Sequence, residues 1–97
     1  MAGEMTLEAL LEEALQIVRG RRDMHGEAER SFEAIAALWT GYLCACGYEN
    51  MAFQAIDVAR MMALMKLARR ITGAAKRDSY VDGIGYLLNE AALEGYA

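Results

Sequence analysis

The sequence predicts an all-α domain built as a four-helix bundle. Three features of its 97 residues support this fold class: proline is absent, apolar residues recur at three- and four-residue steps, and no alternating strand pattern lasts more than a few residues. Three- and four-residue steps place apolar side chains on one face of a helix, whereas a half-buried strand requires strict alternation. A chain of this length forms one domain, so we assign residues 1–97 to a single unit.

The first helix is predicted to run from Thr6 to about Arg19. Thr6 is a suitable N-cap, and Glu8 lies in the first turn, where a negative charge favours the helix dipole. Its expected buried stripe is Leu7, Leu10, Leu11, Ala14, Leu15 and Val18. Glu12 and Glu13 border this stripe, so they are either solvated acids or part of a site.

The segment from Gly20 to Glu27 predicts a loop, because it contains two glycines and has no apolar period. Its Arg21 and Arg22 are interpreted either as surface charges or as contacts to phosphate. The single histidine, His25, has no neighbouring partner in the sequence, so we assign it no catalytic role.

The second helix is predicted from about Ala28 to Cys44 and ends before Gly47. Residues at core spacing along it are Phe32, Ile35, Ala36, Trp39, Tyr42 and Leu43. Cys44 and Cys46 are one residue apart, a spacing that points them about 200° apart on a helix and prevents an unstrained bridge or a shared metal site. We expect both cysteines to be free thiols that serve packing, and we expect no structural zinc.

The third helix, from Ile56 to Ile71, is apolar on almost every side, which indicates burial by its neighbours. Lys66, Arg69 and Arg70 occupy its last turns, where cations favour the dipole, and Gly73 is the expected C-terminal cap. Near its start, Asp57 and Arg60 have the spacing of an ion pair.

The fourth helix is predicted from Asp78 to about Glu94, and Asp82, Tyr86 and Asn89 recur at helical spacing from Asp78 on one stripe, so that two carboxylates face one way. Gly83 and Gly85 each destabilise a helix interior by about 0.5–1 kcal/mol relative to alanine. Close helix packing, or space for a ligand beside Asp82, would explain their presence.

An antiparallel hairpin of the third and fourth helices would bring cations beside carboxylates. Lys66 or Arg69 could then meet Asp78 or Asp82 in a salt bridge. Alternatively, the carboxylates could hold a divalent metal ion while the cations hold phosphate, since Mg²⁺ prefers oxygen ligands and arginine suits phosphate oxygens.

Composition limits the partners of the chain. The content of hydrophobic residues is 56%, more than one small domain is expected to hide, so we predict a homo-oligomer, most simply a dimer. A net charge of −4 makes nucleic acid an improbable ligand, although basic clusters remain at Arg19 to Arg22 and at Lys66 to Arg70. No stretch has the apolar length of a membrane span, and the acidic N-terminal region is unlike a signal peptide, so a cytoplasmic location is expected.

Four segments together resemble a known family: EEALQ (12–16), SFEAIAALWTGYL (31–43), IDVARMMALMKLAR (56–69) and DSYVDGIGY (78–86). In this order they are similar to the MazG-like all-α nucleoside triphosphate pyrophosphohydrolases, in particular to small phage and prophage domains. The resemblance covers roughly residues 8 to 90. It implies a helical bundle that binds Mg²⁺, or Mn²⁺ in its place, and cleaves a nucleotide between its α and β phosphates.

The resemblance also implies roles for individual residues. The metal ligands would be Glu12, Glu13, Asp78 and Asp82, with Glu13 and Asp82 serving the reaction itself. Lys66, Arg69 and Arg22 would bind the phosphates of the substrate. Two positions depart from the family pattern: Gln16 stands where a third acid is expected, and Asp78 lies four residues before Asp82 instead of three.

These departures leave a second interpretation open. The chain could be a small helical phage protein that binds and modulates a host protein, with its metal site replaced by a network of salt bridges. Gln16 favours this alternative, because a neutral amide cannot supply a charged metal ligand.

Overall fold

The computed structural model describes residues 6–22, 27–73 and 77–96, without the side chains of residues 21, 22 and 27. Within these ranges the chain forms four helices and no strand, which confirms the all-α prediction. The helices are α1 (Leu7–Arg22), α2 (Glu27–Ala45), α3 (Ala55–Thr72) and α4 (Arg77–Glu94). None of the described helices is both long enough and apolar enough to cross a membrane.

The first helix begins where the sequence predicts and ends later. The amide of Ala9 donates to the hydroxyl of Thr6 at 3.1 Å, so Thr6 is the N-cap. Residues 20–22 continue the helix, and Glu27 already belongs to α2, so the predicted loop was too long at both ends. Arginine is a good helix former and one glycine is tolerated in a helix, which explains the difference.

Both ends of α3 are fixed by local hydrogen bonds. The amide of Gln54 donates to the Asp57 carboxylate at 2.9 Å at the start of the helix. At its end, Gly73 adopts a left-handed conformation with φ 76°, and its amide donates to the carbonyls of Arg69 and Arg70, as the sequence predicts. Only glycine adopts this backbone conformation without steric strain from a β-carbon, so α3 stops at this position.

An antiparallel α3–α4 hairpin is the centre of the fold. Near the turn, Ser79 contacts Lys66; at the far end, Arg60 lies 2.8 Å from Glu90 and 2.5 Å from Glu94. Arg60 therefore pairs with two acids of α4, whereas the sequence suggested a partner in Asp57. The hydrogen bond to Glu90, helped by the charges of Glu90, Glu94 and Asp57, raises the pKa of Arg60.

The other two helices pack on different members of this hairpin. Helix α1 lies against α4 and α2 lies against α3, while α1 and α2 contact each other little. Phe32 and Ala36 of α2 form the buried core with Val58 and Ala59 of α3. Trp39 packs at the edge of this core, with its ring 5.6 Å from that of Phe53 in an edge-to-face arrangement. The predicted core position of Trp39 is therefore confirmed.

Several residues that the sequence assigns to the interior are exposed. Leu7, Leu11 and Tyr42 face solvent, and α3 has fully buried positions only on the side of Val58 and Ala59. Leu7 and Leu11 are exposed because α1 packs mainly on one neighbour, α4, which covers only part of its apolar stripe. Cys44 and Cys46 are free thiols, as predicted, but both are exposed and so do not serve packing.

Candidate functional site

The candidate site is a cleft between α1 and α4. Ile17 and Val18 form its α1 wall, and its α4 wall is formed by Asp82, Gly85, Tyr86 and Asn89. The cleft is small, about 300 Å³ including space open to solvent. Three residues of the polar stripe predicted along the fourth helix, Asp82, Tyr86 and Asn89, therefore line the cleft, whereas Asp78 of the same stripe does not.

The helices meet closely at this cleft because Gly85 lies opposite Val18. A β-carbon at position 85 would be 3.7 Å from the Val18 side chain, an ordinary contact distance. Glu13 contacts Arg77 near the start of α4, and Val18 contacts Gly85 further along it. The two helices therefore run in the same direction. This arrangement places residues from the middle of α1 along the N-terminal half of α4.

Asp82 forms a salt bridge across the α3–α4 hairpin. Its carboxylate lies 2.9 Å from the ammonium of Lys66, one of the pairs that the sequence predicts. The side chain of Lys66 is 16% exposed and that of Asp82 is 40% exposed. The cation is thus largely enclosed, while the acid remains open to the cleft and to solvent.

Glu13 forms a second ion pair, which joins α1 to α4. Its carboxylate lies 2.5 Å from Arg77 in the first turn of α4, and it too is partly exposed. Glu13 is one turn before Ile17 on α1, so it lies toward the cleft on its own helix. The two acids assigned to the reaction, Glu13 and Asp82, thus lie at the α1–α4 junction, each with a basic partner.

The other two predicted metal ligands have different surroundings. Glu12 is exposed and accepts a hydrogen bond from Gln16 at 3.3 Å. Asp78 is exposed in the first turn of α4. Among the residues for which the structure gives positions, no three His, Cys, Asp or Glu side chains lie close enough to hold one metal ion. The four-carboxylate metal site is therefore not assembled in this single chain, and it stays a prediction.

The predicted phosphate ligands are also separated. Lys66 pairs with Asp82, which lines the cleft, whereas Arg69 is exposed in the last turn of α3, and no described contact joins its side chain to the cleft. Arg22 ends α1, and its side chain lies outside the described residues.

Three residues of importance to the site escaped the sequence analysis. Ser79 is completely buried, and its hydroxyl donates to the main-chain carbonyl of Lys66 at 2.8 Å. Arg70 donates to the Ser79 carbonyl at 3.0 Å and lies over the ring of Tyr80 at 4.9 Å. Arg77 is the partner of Glu13. The sequence signal for Ser79 was only its place in the first turn of a helix, which normally indicates a cap.

Gly83 allows Arg70 to reach α4. A β-carbon at position 83 would lie 3.0 Å from Nη1 of Arg70 and 3.9 Å from the Lys66 side chain. The neighbour is the end of a flexible side chain, so the contact favours close packing, one of the two explanations that the sequence left open, without requiring glycine. The Arg70 guanidinium is thereby held against the backbone of α4 beside the Lys66–Asp82 pair.

The arrangement can bind a ligand that carries both signs of charge. Phosphate oxygens could displace a carboxylate from Lys66 or Arg77, and the released carboxylate could then face a cation brought with the phosphate. The Glu13–Arg77 pair is partly exposed and contributes little to stability, so an exchange at this pair has a small energetic cost.

Comparison with known proteins links the chain to a family and to phage proteins. The sequence profile described as "Domain of unknown function (DUF6378)" matches residues 9–94. The "Gene 55 protein" of Mycobacterium phage D29 is 39% identical over 80 residues, covering 81% of this chain and 49% of the relative. The "Gene 55 protein" of Mycobacterium phage L5 is 35% identical over 79 residues, covering 80% and 47% respectively.

The chain thus spans about half the length of the curated relatives that it matches. No solved structure matches it significantly.

Proposed function

The chain belongs to the DUF6378 family, and from this premise and the geometry of the α1–α4 cleft we propose that it is a phage-type, MazG-like nucleotide-binding domain. The ligand is a nucleoside triphosphate, bound with Mg²⁺ or Mn²⁺, and the reaction is hydrolysis between the α and β phosphates. It would act in the cytoplasm of an infected host.

One observation carries this proposal: Glu13 and Asp82, acids from two helices distant in sequence, lie at one junction, each beside a basic side chain. Asp82 also lines the cleft between α1 and α4, and the α4 wall of this cleft carries the polar residues Tyr86 and Asn89. A metal–polyphosphate complex has the complementary combination of cation and anion.

The site offers Mg²⁺ few protein ligands, and these few are sufficient. This ion takes one or two protein carboxylates and completes its octahedron with water and substrate phosphates, so Glu13 and Asp82 suffice without a cluster of three acids. Glu12 and Asp78 are the further acids, one adjacent in sequence to Glu13 and the other one turn before Asp82 on α4. A bound Mg²⁺ would neutralise phosphate charge and make water a better nucleophile.

The chain's own residues then have defined tasks. Glu13 and Asp82 would hold the metal ion, and one of these ionised carboxylates would accept the proton released by the attacking water. Lys66 balances the charge that develops on the phosphates, and the MazG-like resemblance assigns phosphate binding to Arg69 and Arg22 as well. Tyr86 and Asn89 offer a ring face and an amide to the nucleoside.

Thermal unfolding with a panel of nucleotides tests this proposal. In the presence of Mg²⁺, a ligand at one hundred times its dissociation constant adds about 2.7 kcal/mol to the free energy of unfolding, which raises the melting temperature measurably. The effect should require both metal and nucleotide, and release of pyrophosphate should accompany it. Absence of any shift with every nucleotide and either metal would refute the proposal.

A second candidate is a protein-binding phage factor. Leu38 and Tyr42, one turn apart on α2, are both exposed, and Gln16 binds Glu12 where the MazG-like pattern has a third acid. In that case the ion pairs at the cleft are structural, and the apolar face of α2 meets a host protein. Nucleotides would leave the melting temperature unchanged, and replacement of Leu38 and Tyr42 by serine would abolish capture of the host protein without affecting the fold.

We also propose that the chain functions as a homo-oligomer. Large apolar residues are exposed on all four helices of the described structure, including Leu11, Leu38, Leu64 and Leu87. A surface of this kind is typical of a subunit interface.

A further inference from the structure

We propose that two copies of this chain pair through the outer face of the α3–α4 hairpin, in an antiparallel, two-fold arrangement centred on Leu87. The inference rests on the homo-oligomer proposed above and adds the surface, the orientation and the residue at the axis. It is independent of the nucleotide chemistry.

The chain is more open than a self-sufficient domain. Its accessible surface is 6815 Å², whereas a compact monomer of 10.7 kDa is expected to expose about 5,500 Å². Its radius of gyration is 15.2 Å, compared with about 12.5 Å for a compact domain of this length. The excess surface exceeds the roughly 800 Å² that each partner buries in a typical stable interface. A partner that covers one face is the simplest explanation.

The outer face of the α3–α4 hairpin forms a continuous apolar groove. Its α3 side contains Ala63, Leu64, Leu67 and Arg70, and its α4 side contains Tyr80, Gly83, Ile84 and Leu87. A second hollow continues from Leu87 along α4 past Ala91 to Glu94 and Tyr96. Leu87 lines both hollows and so lies between them. Of the large side chains, Leu64 is 63% exposed and Leu87 is 57% exposed, so both contribute apolar surface to one exposed patch.

The two ends of the groove carry opposite charge. Arg70 and Tyr80 lie at one end, where the Arg70 guanidinium covers the tyrosine ring. Glu90 and Glu94 lie at the other end, and the two acids share one cation, Arg60. The first end therefore has an excess of positive charge and the second an excess of negative charge. This polarity disfavours a parallel pairing, which would place like charges together.

The spacing along α4 matches a two-fold axis at Leu87. Tyr80 is seven residues before Leu87 and Glu94 is seven residues after it, so all three lie on one face of the helix. When a second copy is rotated about an axis through Leu87, the basic end at Tyr80 lies opposite the acidic end at Glu94 of the other copy. The same surface serves both subunits, as a closed two-fold dimer requires. We therefore assign the groove to a second copy of this chain.

Light scattering coupled to size exclusion tests the association. The native chain should elute with twice the 10.7 kDa mass of one copy, and Leu87→Glu should elute as a folded monomer, with helicity verified by circular dichroism. Leu38→Glu is the matched control, because Leu38 is an exposed leucine on α2, outside the groove, and this variant should remain a dimer. A native monomer at 100 µM would refute both the homo-oligomer and this interface. A Leu87→Glu variant that remains a dimer would refute the interface alone.

Cysteine cross-linking tests the orientation in a background with Cys44 and Cys46 replaced by serine. Leu87→Cys should form a disulfide-linked dimer with itself on mild oxidation, whereas Leu38→Cys should not. Tyr80→Cys should cross-link with Glu94→Cys in a mixture of the two variants, and neither should cross-link with itself. Self-linking of Tyr80→Cys would indicate a parallel pair and overturn the proposal, as would the absence of any Leu87→Cys product.

Discussion

The hydroxyl of Ser79 donates a hydrogen bond to the main-chain carbonyl of Lys66 at 2.8 Å, across the turn between α3 and α4. Ser79 is completely buried there, and its own carbonyl accepts a hydrogen bond from Arg70. The bond holds the backbone of α3 in register with that of α4. As a result, Lys66 is positioned so that its ammonium reaches Asp82.

Replacement of Ser79 by alanine should therefore destabilise the fold. We expect a loss of about 1–3 kcal/mol, because Arg70 loses one acceptor and the Lys66 carbonyl loses the buried hydrogen bond from the Ser79 hydroxyl. Urea denaturation measures the change, with Ser31→Ala on the exposed side of α2 as the matched control. An equal effect of both substitutions would show that the buried position of Ser79 has no energetic importance.

Substitutions of Lys66 and Asp82 should have non-additive effects on stability, because the two side chains form a salt bridge. Asp82→Asn leaves Lys66, a mostly enclosed cation, without its carboxylate, so we expect the free energy of unfolding to fall by about 1–3 kcal/mol. In a double-mutant cycle with Lys66→Met, the coupling energy should be about 0.5–3 kcal/mol. An increase in stability on Asp82→Asn, measured without metal, would instead indicate that repulsion between carboxylates dominates at this site.

The two adjacent acids of α1 should differ in importance. Glu13→Gln should abolish the nucleotide-dependent rise in melting temperature, because Glu13 lies at the α1–α4 junction beside Arg77. Glu12→Gln should weaken it less, because Glu12 is exposed and paired with Gln16. Neither change should alter intrinsic stability by more than about 1 kcal/mol, since partly exposed ion pairs contribute little. Equal losses from the two variants would argue that both acids bind the metal directly.

The glycines of α2 and α4 should respond differently to alanine. Gly41 has open space where a β-carbon would lie, so Gly41→Ala should stabilise the chain by about 0.5–1 kcal/mol through helix propensity. At Gly83 the same gain is offset, because the new methyl group would displace Arg70 from Ser79. Thermal denaturation of the two variants provides the comparison, and an equal gain at both positions would refute the role assigned to Gly83.

Both cysteines should react freely in the folded protein. Cys44 and Cys46 are exposed, so a thiol reagent should modify two thiols per chain, to the same extent with and without denaturant. The double serine variant should keep its free energy of unfolding within about 0.5 kcal/mol, as surface substitutions usually do. Slow modification of one thiol in the native state would show that a partner covers it.

Local features of the fold were predictable from the sequence. The N-cap at Thr6, the left-handed cap at Gly73 and the existence of four helices depend on contacts within a few residues. Such contacts are determined by residue type and order, so they are readable without the tertiary structure. With one further assumption, that adjacent helices form an antiparallel hairpin, the sequence predicted that Lys66 or Arg69 would meet Asp78 or Asp82, and Lys66–Asp82 is the pair that forms.

The tertiary structure alone decided how these helices are arranged. It placed α1 on α4 and α2 on α3, which exposes Leu7, Leu11 and Tyr42 despite their core spacing. Helical periodicity identifies an apolar face but not the neighbour that covers it. Helix packing also set the ion-pair partners: Arg60 pairs with Glu90 and Glu94 of α4 instead of Asp57 of its own helix, and Glu13 pairs with Arg77. Long basic side chains can reach an acid on a neighbouring helix as easily as one on their own helix. The sequence by itself determined where each helix lies and which residues carry charge; the packing of the helices determined which of those charges meet.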